Sequence, residues 1–115
     1  MKITIVGGGN IGTQFMVHCA EKGHMVTAYT STPELFEKHL TIVDENMKIT
    51  HEGDIFTATN NPVEAFDDAE LIIVTLPAMM MKEIANTIYW SCSGKWWQRM
   101  CFFKMYRKRE SFFRD

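Results

Sequence analysis

The chain has 115 residues, 46% of them hydrophobic and 23% charged, with a formal net charge of −2; that is enough for one domain with a real core, too little for two, and ordinary for a globular protein. Its longest apolar run, residues 71–81, is eleven residues long and holds Thr75 and Pro77, so no transmembrane segment is expected. The net charge hides an asymmetry, because residues 1–88 carry five Lys or Arg against twelve Asp or Glu, and residues 89–115 carry seven against two together with nine of the fourteen aromatics. Such a step predicts a boundary near Ile88, with a basic, aromatic tail beyond it.

Residues 2–6 (KITIV) are rich in β-branched side chains and run into glycines, which predicts a strand. From residue 10 to 22 the apolar residues Ile11, Phe15, Met16, Cys19 and Ala20 recur at helical spacing, and Gly23 stands at the stop position. Residues 25–29 (MVTAY) predict a second strand. Pro33 suits the first turn of a short helix through Leu40, capped by Ser31 or Thr32. Residues 41–43 are a candidate third strand, and residues 48–50 and 55–58, parted by Glu52-Gly53-Asp54, predict a hairpin insert. Pro62 opens a short helix through Phe66. The continuous run 71–76 (LIIVTL) predicts a strand buried on both faces, and residues 78–88 a further helix. Strands alternating with helices make this an α/β parallel sheet: the first mononucleotide-binding half of a doubly wound fold, one strand beyond it, and a hairpin.

Gly7-Gly8-Gly9-Asn10-Ile11-Gly12 fits G-x-G-x-x-G. Alone that pattern is weak; directly after a strand and opening a helix it predicts a Rossmann-type dinucleotide site. Gly7 permits the tight turn, Gly9 lets a pyrophosphate approach the backbone, and Gly12 lets the helix pack closely on the sheet. The amides and positive dipole end of the helix start then hold the phosphates. Cofactor choice is read about twenty residues later. There the chain offers Tyr29-Thr30-Ser31-Thr32 with no carboxylate before Glu34, which tilts the expectation to NADP over NAD; hydroxyls can donate to a 2′-phosphate without repelling it. The usual arginine is also absent, Lys38 and His39 being the nearest basic groups. The bland alternative is that Thr30–Thr32 cap the next helix. Thr75-Leu76-Pro77-Ala78 ends a buried strand on a fixed proline turn, a place to flank the nicotinamide side of the cofactor.

The stretches MKITIVGGGNIG, VTAYTSTPELF and DDAELIIVTLPAMMMKEIANTI, with the hairpin between the second and third, resemble the N-terminal domain of the octopine/nopaline (opine) dehydrogenases across residues 1–88. The N-terminal domains of ketopantoate reductases and glycerol-3-phosphate dehydrogenases are similar at a greater distance. The resemblance implies hydride transfer between a nicotinamide cofactor and a C=N or C=O carbon. It places Gly7, Gly9, Asn10, Ile11 and Gly12 on the pyrophosphate, Thr30 and Ser31 near the adenosine ribose, and Leu76, Pro77 and Ala78 near the nicotinamide. Members of that family carry a second, helical domain that supplies a His acid/base group and much of the substrate pocket. The 115 residues end before any such domain. His18, His24, His39 and His51 are read as surface or packing residues, since none falls beside the expected nicotinamide. No catalytic residue is assigned, and the chain alone is expected to be catalytically silent, meeting a small-molecule substrate only in a longer form. The competing reading is a stand-alone nucleotide-binding or redox-sensing module with an interaction tail.

Cys19, Cys92 and Cys101 show no CxxC spacing, so neither a disulfide framework nor a metal site is expected, and a cytoplasmic location fits, with no export signal visible. No nucleic-acid partner is expected. A sheet stopping at residues 71–76 would leave an open edge, a route to self-association. Three readings compete for residues 89–115: a peripheral membrane- or nucleic-acid-facing segment, a divergent fifth strand, and a stretch translated out of frame. The last leads. Trp96-Trp97-Gln98 must be encoded TGG-TGG-CAR, which one base later reads GGT-GGC, a Gly-Gly pair suited to a turn after a fifth strand. The fifth-strand reading ranks last, because Ser93-Gly94-Lys95 and the tryptophan pair do not resemble a buried parallel strand.

Overall fold

The computed structural model describes residues 1–91 and the strand 100–102. In chain order these form β1 (Lys2–Val6), α1 (Asn10–Glu21), β2 (Met25–Tyr29), a 3-10 turn (Pro33–Leu35), β3 (His39–Val43), β4 (Ile49–Asp54), β5 (Thr57–Thr59), α2 (Pro62–Phe66), β6 (Leu71–Val74), a second 3-10 turn (Ala78–Met80), α3 (Met81–Ser91) and β7 (Met100–Phe102). The sheet runs β5-β2-β1-β6-β7, every pairing parallel, and β3-β4 is a separate antiparallel ribbon. β1 therefore lies at the centre, and chain order reverses beside it, where α/β sheets bind ligands at the carboxyl ends of the strands.

Alternation along the strands sorts the core into two layers. Ile3 and Ile5 of β1, Val26 and Ala28 of β2, and Ile73 of β6 meet Met16 of α1 on one face. Val6, Ile72 and Val74 meet Phe66 of α2 and Ile84 and Ile88 of α3 on the other. Thr4 also lies buried, its hydroxyl donating to the Ala65 carbonyl, so this polar group carries no unmet desolvation cost. Asn61 caps α2, its side-chain oxygen accepting from the amides of Val63 and Glu64 at 3.0 and 3.4 Å, with Pro62 at the first helical position.

The excursion between β2 and α2 differs from the sequence expectation. The third sheet strand is not residues 41–43 but Thr57–Thr59, pairing with Thr27–Tyr29. Residues 41–43 belong to β3 and pair with β4. The hairpin turns at Asp44, not at Glu52-Gly53-Asp54: the Asp44 carboxylate accepts from the amides of Asn46 and Lys48 at 2.9 and 2.8 Å, and Met47 takes φ 63°. An Asp side chain can close a turn this way. Gly53 instead lets β4 lie against α1, since a Cβ there would stand 2.9 Å from the Ala20 Cβ. The helix expected through Leu40 is a single 3-10 turn, because Phe36 turns into the α1-side core and β3 begins at His39.

α3 runs to Ser91. β7 pairs with β6 in the register Ile72↔Met100, Ile73↔Cys101, Val74↔Phe102, so the edge of β6 expected to stand open is paired, and a fifth strand occupies the place that the least-favoured reading of the tail gave it. The residues that argued against it, Ser93-Gly94-Lys95 and the tryptophan pair, lie outside the described residues, as does the stretch on which the coding-frame reading rests.

The hairpin carries a pH-sensitive contact. His39 Nδ1 lies 2.5 Å from an Asp54 oxygen and Nε2 3.0 Å from a Glu52 oxygen. These hydrogen bonds, Asp54's first, raise the His39 pKa above its ordinary 6.5. A folded-state value above the unfolded one adds stability in full below 6.5, and that contribution is lost as pH rises through the raised value. In a proton NMR titration the His39 ring should titrate above its ordinary 6.5, and Asp54→Asn should bring it back down.

Candidate functional site

A cleft of about 380 Å³ opens at the carboxyl ends of β1, β2 and β6. Its floor is Val6, Gly7 and Gly8; Tyr29, Thr30 and Ser31 form one wall, Leu76 and Met80 the rim past β6, and Glu83, Ile84 and Thr87 of α3 the other wall. Gly7 leaves β1 at φ +111°, a conformation that disfavours any side chain. Its amide donates to the Tyr29 carbonyl at 3.3 Å, tying the turn to β2. Thr75, buried after β6, ties it to the other neighbour: its hydroxyl and amide both donate to the Val6 carbonyl, at 2.8 and 2.9 Å.

α1 starts where this turn ends. Gly9, exposed and with extended backbone, caps the helix without a side chain. Asn10, exposed, and Ile11, half-buried, supply the first amides, which have no partner within the helix. No acidic residue stands in the first turn, so the positive end of the helix is uncancelled. Gly12 is buried, and a Cβ there would stand 2.2 Å from the Gly7 carbonyl oxygen and 3.0 Å from the Thr75 hydroxyl. The helix can lie this close to β1 only because that position is glycine. At Gly9 nothing lies within 4 Å of such a Cβ.

The fold thus gathers Gly7, Thr30, Ser31 and Leu76 onto one cleft, with Gly9, Asn10 and Ile11 at the adjoining helix start and Gly12 beneath. Pro77 and Ala78 are exposed beyond Leu76 and are not among the residues lining the cleft. Thr30 folds back on its own turn, its hydroxyl accepting from the Thr32 amide at 3.3 Å, while Ser31 is exposed on the rim. His39, tied to Asp54 and Glu52, is committed to the hairpin.

Sequence reasoning missed Gly8, Tyr29 and the α3 wall. Gly8 stands where a Cβ would come within 3.0 Å of the Phe36 ring. Tyr29 is half-buried, its ring 4.8 Å from that of Phe66, and burial pushes its phenol pKa up. Met80, Ile84 and Thr87 recur at helical spacing, a signal present in the sequence that marks a face without saying what it meets.

A central β1, a glycine turn, a helix start with no side-chain cap and a cleft at the strand order's reversal define a Rossmann-type dinucleotide-binding domain of the kind that opens NAD(P)-dependent dehydrogenases. The chain belongs to the family of the NAD-dependent glycerol-3-phosphate dehydrogenase N-terminus, whose family model matches residues 2–96. A relative from Thermoanaerobacter sp. (strain X514), a glycerol-3-phosphate dehydrogenase using NAD(P)+, is 26% identical over 91 residues, 76% of this chain and 27% of that protein. Octopine dehydrogenase with NADH and L-arginine superposes with a TM-score of 0.66 at 21% identity, over 80% of this chain and 26% of that one. A ketopantoate reductase-like protein from Ralstonia solanacearum MolK2 gives 0.63 at 17%, over 89% and 30%. Yersinopine dehydrogenase with NADP+ gives 0.62 at 18%, over 79% and 25%. The chain spans about a quarter of the length of these proteins. Both the glycerol-3-phosphate and the opine resemblances stand, the first by family and the second by fold. Among the described residues no helix is long and apolar enough to cross a membrane.

Proposed function

We propose that the chain binds a nicotinamide dinucleotide, NADP in preference to NAD, as the cofactor half of an oxidoreductase that transfers hydride to a C=O or C=N carbon. The observation that carries this is the cleft joining the glycine turn to Thr30 and Ser31, with the open Gly9 position beside it. Gly9, Asn10, Ile11 and Gly12 serve the pyrophosphate through backbone amides. Tyr29, Leu76 and Ile84 give the adenine an apolar slot, and Thr30 and Ser31 face its ribose. From this slot Leu76 continues with Pro77 and Ala78 toward the nicotinamide side of the cofactor. Bound cofactor would supply the hydride; these residues bind and orient it.

The family match supports a C=O acceptor of the glycerol-3-phosphate dehydrogenase kind, and the opine-type neighbours support C=N reduction. None of the four histidines is assigned as the proton donor, so the 115-residue chain is proposed to bind cofactor without turnover, and to sit in the cytoplasm. Titration with NADPH and NADH tests the binding: saturation by both, tighter for NADPH, is expected, and saturation by neither overturns the proposal. Ser31→Asp should reverse the preference, weakening NADPH by roughly tenfold or more through repulsion of the 2′-phosphate. An equal loss for both cofactors would place Ser31 away from the ribose.

A further inference from the structure

We infer that His18, Glu21 and His51 form a binding site for a divalent transition-metal cation of the zinc type, which pins the hairpin to α1. His18 and Glu21 are three residues apart and share one face of α1. His51 comes from β4 on the hairpin. The nitrogen and oxygen atoms these side chains offer all lie within 4.8 Å of one another. His51 Nδ1 is 3.1 and 3.2 Å from the two carboxylate oxygens of Glu21, and His18 Nδ1 is 3.9 Å from the nearer of them. Tetrahedral zinc, with bonds near 2.1 Å, holds its ligand atoms roughly 3.4 Å apart. The Glu21–His51 spacing already meets that, so only the His18 imidazole has to close. The two imidazoles pack edge to face with centroids 4.8 Å apart.

Two further features hold the group together. The Glu52 amide donates to Glu21 Oε2 at 3.3 Å, an outer contact of the type that orients metal-binding carboxylates. Gly53 has no side chain to hold β4 off α1, where a Cβ would meet Ala20 at 2.9 Å and the Val17 carbonyl at 3.3 Å; this close approach brings His51 over His18. Two imidazoles and one carboxylate suit zinc, cobalt, nickel or copper rather than magnesium or calcium, which take oxygen ligands. Three protein ligands on an exposed surface leave a fourth position for water. His18 lies about 12 Å along α1 from Asn10, so the ion stands apart from the cofactor and acts on the hairpin.

The test is zinc titration of the full chain by calorimetry and by thermal unfolding, under reducing conditions. One equivalent should bind and raise the melting midpoint, with the rise reversed by EDTA. His18→Gln and His51→Gln should each weaken binding by at least about tenfold, while Cys19→Ser leaves it unchanged. With cobalt as a paramagnetic probe, the ring signals of His18 and His51 should broaden before those of His24 and His39. No zinc binding by the wild-type chain, undiminished affinity in the His18→Gln/His51→Gln double variant, or loss of binding in Cys19→Ser overturns the inference.

Discussion

Gly9→Ala should leave the domain folded and remove at least about nine tenths of its cofactor affinity, whereas Gly12→Ala should strongly destabilise the fold. The two glycines are three residues apart in one motif, yet their surroundings differ. A Cβ at Gly9 meets nothing within 4 Å, and the backbone there, at φ −79° and ψ −169°, suits any residue. The cost to the fold is the poorer capping by alanine, about 1 kcal/mol or less. The methyl would stand where the pyrophosphate has to reach the backbone, and a tenfold loss of affinity is about 1.4 kcal/mol. A Cβ at Gly12 meets the Gly7 carbonyl oxygen at 2.2 Å; the backbone fixes the Cβ and the oxygen is main chain, so no rotamer relieves it. Forcing α1 off β1 should cost about 3 kcal/mol or more, a large share of the 5–15 kcal/mol that a small domain commands. Thermal melts paired with NADPH titration separate the two. A Gly9→Ala variant that binds as the parent does would remove the pyrophosphate from this turn.

The contrast between these glycines also marks what could be read in advance. β1 and β2 matched to the residue, because KITIV is rich in β-branched residues and MVTAY holds Val, Thr and Tyr between a glycine stop and a polar turn. α2 and the start of β6 were legible because Pro62 suits a first helical turn and LIIV has no polar face to offer water. The excursion was not, because its strands compete on local evidence alone. HLTIV looks more like a sheet strand than TAT does, yet the place beside β2 goes to Thr57–Thr59, whose register with Thr27–Tyr29 is a long-range fact. The glycine in EGD looked like a turn and is a packing contact with α1 instead. The glycine turn and the helix start could be read because the motif stands directly after a strand and opens a helix. The Tyr29 and α3 walls could not, since they face the cleft only once β2, β6 and α3 are assembled.

Phe66→Ala should destabilise the domain by about 3–5 kcal/mol and weaken the cofactor site from behind. Phe66 is 0% exposed and heads the largest fully buried side chains. It sits at the end of a five-residue helix, packed among Val6, Ile72, Val74 and Ile88. Truncation would leave a void bounded by strands of the central sheet and by α3, which the sheet cannot close without losing register, so relaxation should recover little of the loss. The melting midpoint should fall by more than about 10 °C. The second effect follows from Tyr29, whose ring leans on Phe66 at a centroid distance of 4.8 Å while its other side lines the cleft. Without that backing the tyrosine can turn into the void, and the wall against which the adenine is proposed to rest goes with it. Phe66→Leu, which fills most of the space, should cost less on both counts. Val63→Ala on the same helix, at a position 58% exposed, should change stability by no more than about 0.5 kcal/mol. NADPH titration of Phe66→Ala well below its midpoint distinguishes the two effects: affinity equal to the parent's in the folded fraction would confine Phe66 to the core, and a loss there would tie the core packing of α2 to the cofactor site.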